Sequence, residues 1–167
     1  MADEHDAVVS ASDIGDLLRF LADTPGRLEA ASRGLDDQRL RRRPTRSAWS
    51  ATEILAHLRA CADVWGSSIQ SMIERDHPTL RYVSPRTWTR KTGYTSQPFS
   101  ESLQAFTTQR ANLMRALSAL APADWARGAT FTGTAHRREQ TILDSVRRIA
   151  AHELEHCEHV QATLQAP

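Results

Sequence analysis

Residues 149–160 read IAAHELEHCEHV, and the reading of this stretch decides the fold. It holds no glycine or proline, and its apolar residues recur at helical spacing. His152 and His156 stand one turn apart and share a face. Ile142, Val146, Ile149 and Val160 lie toward that side and mark it as core-facing, whereas Arg148, Glu155 and Glu158 are expected on the opposite side. An imidazole turned inward needs a partner, because an unpaired buried polar group is costly. Two chemistries would satisfy the pair: hydrogen bonding, or one shared metal ion about 2.1 Å from each nitrogen. His159 is about 10.5 Å from His152 along a straight helix, so one ion cannot join both. His159 is expected beside such a site or on the surface.

Working outward, three further segments carry the helical period. The first runs from Ser12 to Ala31, with Ile14, Leu17, Leu18, Leu21 and Leu28 on one side; Pro25-Gly26 predicts a kink or a break in it. The second opens at Ser47 to Ser50 and reaches Arg75, with Ser50 and Glu53 spaced as a capping box. The third runs from Ser100 to Ala121-Pro122, and the helix quoted above extends from Arg138 to Leu164. The connections 77–98 and 122–137 are long, and neither reads as strand-rich. The expectation is an all-α four-helix bundle with a long crossover between its second and third helices. It forms one domain over residues 12–164, after a flexible N-terminus at residues 1–11.

On the second helix Ile54, Leu58, Cys61, Trp65 and Met72 form the apolar stripe, and His57 falls at its edge. A histidine there can lean into the bundle toward another helix or sit half-buried and hydrogen-bonded. Cys61, one turn on, reads either as a further ligand or as a small core residue; Cys157 reads as packing. His5 falls in the N-terminal segment, and His77 and His136 fall in connections.

Composition excludes several classes. The chain has 167 residues and a formal net charge of +1, so no global field draws it to nucleic acid or an anionic membrane. The basic run Arg39 to Arg46 lacks interleaved aromatics and is expected to be a solvated loop. The acidic start MADEHDAVVS has no signal-peptide pattern, and nothing approaches the ~18 apolar residues of a membrane span. Two cysteines make no disulfide framework. The expected location is the cytoplasm.

His152-Glu153-Leu154-Glu155-His156 also matches the H-E-x-x-H string of zinc proteases, in which the glutamate is a general base. The extended form of that motif needs a glycine at 159 and a histidine at 162, and this chain has His159 and Ala162. No strand is expected that would hold a peptide by edge pairing. A protease is therefore disfavoured.

Taken together, WSATEILAHL at 49–58, FSESLQAF at 99–106, RANLMRAL at 110–117, the Asp124-Trp125 step, the approach from Gly133 to Leu143, and HELEH at 152–156 resemble the DinB/YfiT-like superfamily of metal-dependent enzymes in order and spacing. The resemblance covers residues 12 to 163. It implies a four-helix bundle in up-down-down-up order, a homodimer, and one divalent metal held by His57, His152 and His156. Some members are transferases or isomerases that use low-molecular-weight thiols such as mycothiol or bacillithiol.

Three neutral ligands leave the ion an open position, as catalytic sites do and closed structural sites do not. Zinc or nickel is expected there, and iron or manganese is compatible with the donor set. Glu153 is a candidate base or supporting partner. The first functional expectation is a transferase acting on a small electrophile with a thiol cosubstrate. The alternatives are hydrolysis by water that the metal activates, and a non-enzymatic dimer with a structural or vestigial ion. Arg81, Arg86, Arg90 and Trp88 in the long connection are candidates for recognising an anionic thiol or substrate.

Overall fold

The computed structural model describes residues 11–166. The expected flexible N-terminus, with His5 in it, lies outside the described residues except for Ala11. Among the described residues six α-helices are present: α1 (Ala11–Ser32), α2 (Asp37–Arg41), α3 (Ala51–Glu74), α4 (Pro85–Thr92), α5 (Phe99–Ser118) and α6 (Ile142–Gln165). The four long ones, α1, α3, α5 and α6, form the bundle. Three short strands, β1 (Thr79–Arg81), β2 (Gly128–Thr132) and β3 (Arg138–Thr141), form a small sheet.

Side-chain pairings fix the helix directions. Leu21 packs in one cluster with Ile149, Thr24 bonds Glu153, and Leu28 packs with Cys157, so α1 and α6 are parallel. Arg59 bonds Ser102 and Asp63 bonds Gln109, so α3 and α5 are parallel too. His57 meets His156 while Trp65 meets Arg148, so α3 and α6 are antiparallel. This is the up-down-down-up order. It obliges residues 75–98 to travel back along the bundle before α5 begins.

Local chemistry explains most element ends. At α3 the Ser50 hydroxyl accepts from the Glu53 amide at 3.2 Å, and the Glu53 carboxylate accepts from the Ser50 amide at 2.9 Å. α1 continues through Pro25 without the expected break. The helix loses the one hydrogen bond that the proline nitrogen cannot donate, and packing of Leu21 and Leu28 on either side holds it together. α6 begins four residues later than expected. Arg138–Thr141 is a strand, and Thr141 and Asp144 form the capping box that starts the helix.

The strands correct the reading of both long connections. β1 pairs parallel to β2, and β2 pairs antiparallel to β3, aligning Leu80, Phe131 and Arg138 in one row across the sheet. A Cβ at Gly128 would stand 2.9 Å from the Gln140 carbonyl oxygen, so the close approach of β2 to β3 requires glycine. The basic run also departs from a solvated loop. Arg39 donates to the Leu164 and Ala166 carbonyls, Arg41 donates to the Thr95, Ser96 and Gln97 carbonyls, and Arg43 pairs with Glu53. These guanidiniums tie α2 and its flanks to the end of α6, the turn before α5 and the start of α3.

The core is divided in two. Leu21, Ile69, Met72, Leu117, Ile142, Val146 and Ile149 fill one end. Leu28, Ile54, Leu55, Leu58, Phe99, Phe106 and Val160 fill the other. Between these levels of α1, α5 and α6 lie Thr24, Arg110 and Glu153, all buried. The three histidines sit on the α3–α6 side of this polar layer. No helix among the described residues is long and apolar enough to cross a membrane.

Candidate metal centre

α3 supplies His57, and α6 supplies His152 and His156. Because the two helices are antiparallel neighbours, the edge of one apolar stripe meets the edge of the other. His57 Nε2 is 3.2 Å from His152 Nε2, and His156 Nε2 is 3.1 Å from that same atom. One ring nitrogen from each of the three falls within 4.8 Å of the others. His57 and His156 are buried, at 7% and 9% exposure, and His152 is half-buried.

Hydrogen bonding alone does not satisfy this arrangement. The Nε2 of a neutral imidazole offers one proton or one lone pair in one direction. His152 Nε2 therefore serves only one of the two nitrogens facing it. The three Nδ1 atoms are buried and meet no hydrogen-bond partner among the described residues, so the convergence of the Nε2 atoms alone bears on a metal. Two nitrogens each about 2.1 Å from a tetrahedral ion lie about 3.4 Å apart, close to the separations here. A divalent cation on the three Nε2 lone pairs fits the donor set.

The electrostatics keep the donors neutral. Burial lowers His57 to about 4, with help from His156 and Arg86. Burial lowers His152 to about 3, with His156, His57 and Arg148 adding to it. Burial lowers His156 as well, and His159 adds to the effect. All three rings thus present lone pairs at neutral pH, the form a metal requires.

Two indoles wall the site. Trp49 lies 6.3 Å from His156, nearly parallel, and 5.3 Å from His57. Trp65 meets the edge of His152 at 4.8 Å. Each indole carries a guanidinium: Arg86 over Trp49 at 5.6 Å, and Arg148 over Trp65 at 4.9 Å. The histidines open into a cleft of about 710 Å³ whose walls include both tryptophans, both arginines, Glu155 and His159. Arg148 and Glu155 therefore lie on the histidine side of α6 and not opposite it. Positions 148, 152, 155 and 159 make one stripe at helical spacing, at the border of the core face.

The other candidates separate cleanly. His159 stacks on His156 at 5.9 Å and lines the cleft without joining the three nitrogens. Cys61 Sγ is 3.5 Å from His57 Nε2, yet it is outside the set that converges, and burial pushes its thiol pKa up. Cys157 is buried in the apolar core, with its thiol pushed up to about 11. Glu153 turns toward α1 and α5, where it is 3% exposed and paired with Arg110. Burial raises its pKa against the opposing pull of Arg110 and Thr24. His77 bonds Glu139 and Thr130 on the sheet, away from the cleft. Arg86 reaches the metal cleft, Arg81 and Trp88 line a neighbouring cavity, and Arg90 bonds Thr87. Sequence reasoning missed Trp49, which precedes α3, and Trp65, within α3, as walls.

Comparison with known proteins bears on the fold and the family. No curated protein sequence matches the chain. Among solved structures, YfiT from Bacillus subtilis superposes with a TM-score of 0.82 at 15% identity, covering 97% of this chain and 91% of that one. YfiT is described as a probable metal-dependent hydrolase with an unusual four-helix bundle topology. The profile of the DinB superfamily matches residues 21–160, and the chain belongs to that superfamily.

Proposed function

We propose that the protein is a metal-dependent transferase joining a low-molecular-weight thiol to a small electrophile, with one divalent ion, zinc or nickel, on His57, His152 and His156. The observation that carries this reading is the convergence of three neutral imidazole nitrogens on the floor of an open cleft. A divalent ion there supplies the positive charge that favours a thiolate at neutral pH. The chain's own residues do the rest. Trp49 and Trp65 exclude water from two sides of the histidines, and Arg86 and Arg148 favour anionic groups at the mouth. Glu153 is engaged by Arg110, and a thiol route needs no separate base at its position. Reaction would form a carbon–sulfur bond as the leaving group departs and the thiol proton passes to solvent.

A second reading, hydrolysis, is favoured by one feature. Glu155 and His159 stand on the cleft wall, where either can accept a proton from water.

The test is a screen of the metal-loaded protein against small electrophiles, with several thiols and with water alone. Single alanine variants of His57, His152 and His156 are expected to lose stoichiometric metal, measured by elemental analysis. Full metal retention in all three would overturn the site. Metal whose removal lowers stability in a protein that turns over no electrophile would indicate a structural ion.

A further inference from the structure

The metal cleft does not end at Trp65. A second cavity of about 270 Å³ adjoins it and shares Trp65, Tyr82 and Arg148 as common wall. Its floor is apolar, formed by Leu80 and Phe131 of the sheet against Val64 of α3 and by the Trp88 indole. Its rim carries three guanidiniums: Arg81 from β1, Arg138 from β3 and Arg148 from α6. Among the described residues none of the three has a carboxylate partner; Arg148 lies over the Trp65 ring. Asp63 is the one carboxylate in the lining, and it is already engaged. Its Oδ2 accepts from Trp88 Nε1 at 2.9 Å and Tyr94 Oη at 2.8 Å, and its Oδ1 accepts from Gln109 Nε2 at 2.5 Å.

Arg81 is also placed. Gly133 has a φ of +86°, and its missing Cβ would lie 3.3 Å from Arg81 Cγ. The side-chain stem thus rests on the turn between β2 and β3, and the residue lines the cavity. Three cations around an apolar floor describe a site for an organic body with an anionic end.

We infer that this second cavity is a subsite for the anionic tail of the molecule whose reacting end lies at the three histidines. The inference rests on the thiol reading above and adds a substrate class: an elongated small molecule bearing a carboxylate or a chemically similar anion remote from its reactive group. Arg148, at the junction, faces both halves. Arg81 and Arg138 face only the tail.

The probes are mercaptopropionate, mercaptohexanoate and mercaptooctanoate, each compared with the mercaptoalcohol of equal chain length. Binding to the full chain, zinc-loaded and zinc-free, is followed by tryptophan fluorescence, since Trp65 and Trp88 line the cavity. The longer carboxylates are expected to bind roughly tenfold more tightly than their alcohols, the value of one charge-assisted contact. That preference should fall to about twofold or less in an Arg81→Gln/Arg138→Gln variant, while mercaptopropionate binding stays unchanged. Arg138→Glu should shift the preference toward a mercaptoamine of matching length. Equal affinity for carboxylate and alcohol at every length, or an undiminished preference in the double variant, overturns the inference. Thiol binding that is indifferent to zinc counts against the metal reading alone, because the charge preference is read with or without metal.

Discussion

At the residue scale, the protein keeps three imidazoles neutral below the pH at which water would protonate them. Unfolded histidine titrates near 6.5, and here His57 falls to about 4 and His152 to about 3. Between those values the unfolded chain binds more protons than the native one, so stability rises with pH. The metal-free protein should therefore lose stability progressively from pH 6.5 toward pH 4. The slope approaches roughly 1 kcal/mol per histidine per pH unit before reduction by solvent screening of the partly exposed rings. Chemical denaturation across that range measures it, and a His57→Gln/His152→Gln variant should show a flatter profile. The Arg110–Glu153 pair makes a second prediction. Both side chains are 4% exposed, so Arg110→Met leaves a buried carboxylate without its cation and should cost about 3–5 kcal/mol in urea unfolding. Adding Glu153→Leu should recover much of that loss, which a residue needed only for catalysis would not do.

At the element scale, the four long helices were legible from the sequence and the sheet was not. α3 and α6 carry apolar stripes over 24 residues each, long enough for the helical period to stand out. The Ser50–Glu53 capping box states one boundary outright. β1, β2 and β3 have three, five and four residues, too few for alternation to show against the background. β1 also pairs with a strand some fifty residues away, and no local signal encodes that. The same limit applied to the site. His152 and His156 could be paired within one helix, but His57 joined them through family resemblance, since spacing within a chain does not reveal which helices become neighbours. Arg148 was assigned to the wrong side because the histidine stripe was merged with the core stripe beside it. The sheet predicts its own weak point. Gly128→Ala sets a methyl group against the Gln140 carbonyl and should separate β2 from β3, at about 1–3 kcal/mol in thermal unfolding. If the sheet also forms the tail subsite, the same change should weaken binding of the longer carboxylates.

At the scale of the whole molecule, the buried Arg110–Glu153 pair and the histidine cluster lie on different sides of α6. Arg110 and Glu153 face α1 and α5, and the histidines face the cleft. α6 serves both, since positions 152 and 156 face the cleft while position 153 faces Arg110. We propose in addition that the protein is a homodimer, as the family resemblance implies; sedimentation equilibrium would decide it, and a mass equal to one chain would refute it.

The up-down-down-up path has a consequence in time. His57 and His152 are 95 positions apart in the chain, and β1 must await β2 across two helices. A bundle of simple hairpins can zip from neighbour to neighbour, whereas this one has to close long loops before its central contacts repay them. The histidine cluster is accordingly expected among the last features to assemble during refolding, which pulsed hydrogen exchange would check. A chain emerging from synthesis cannot bring His57 to His152 and His156 until α6 has docked.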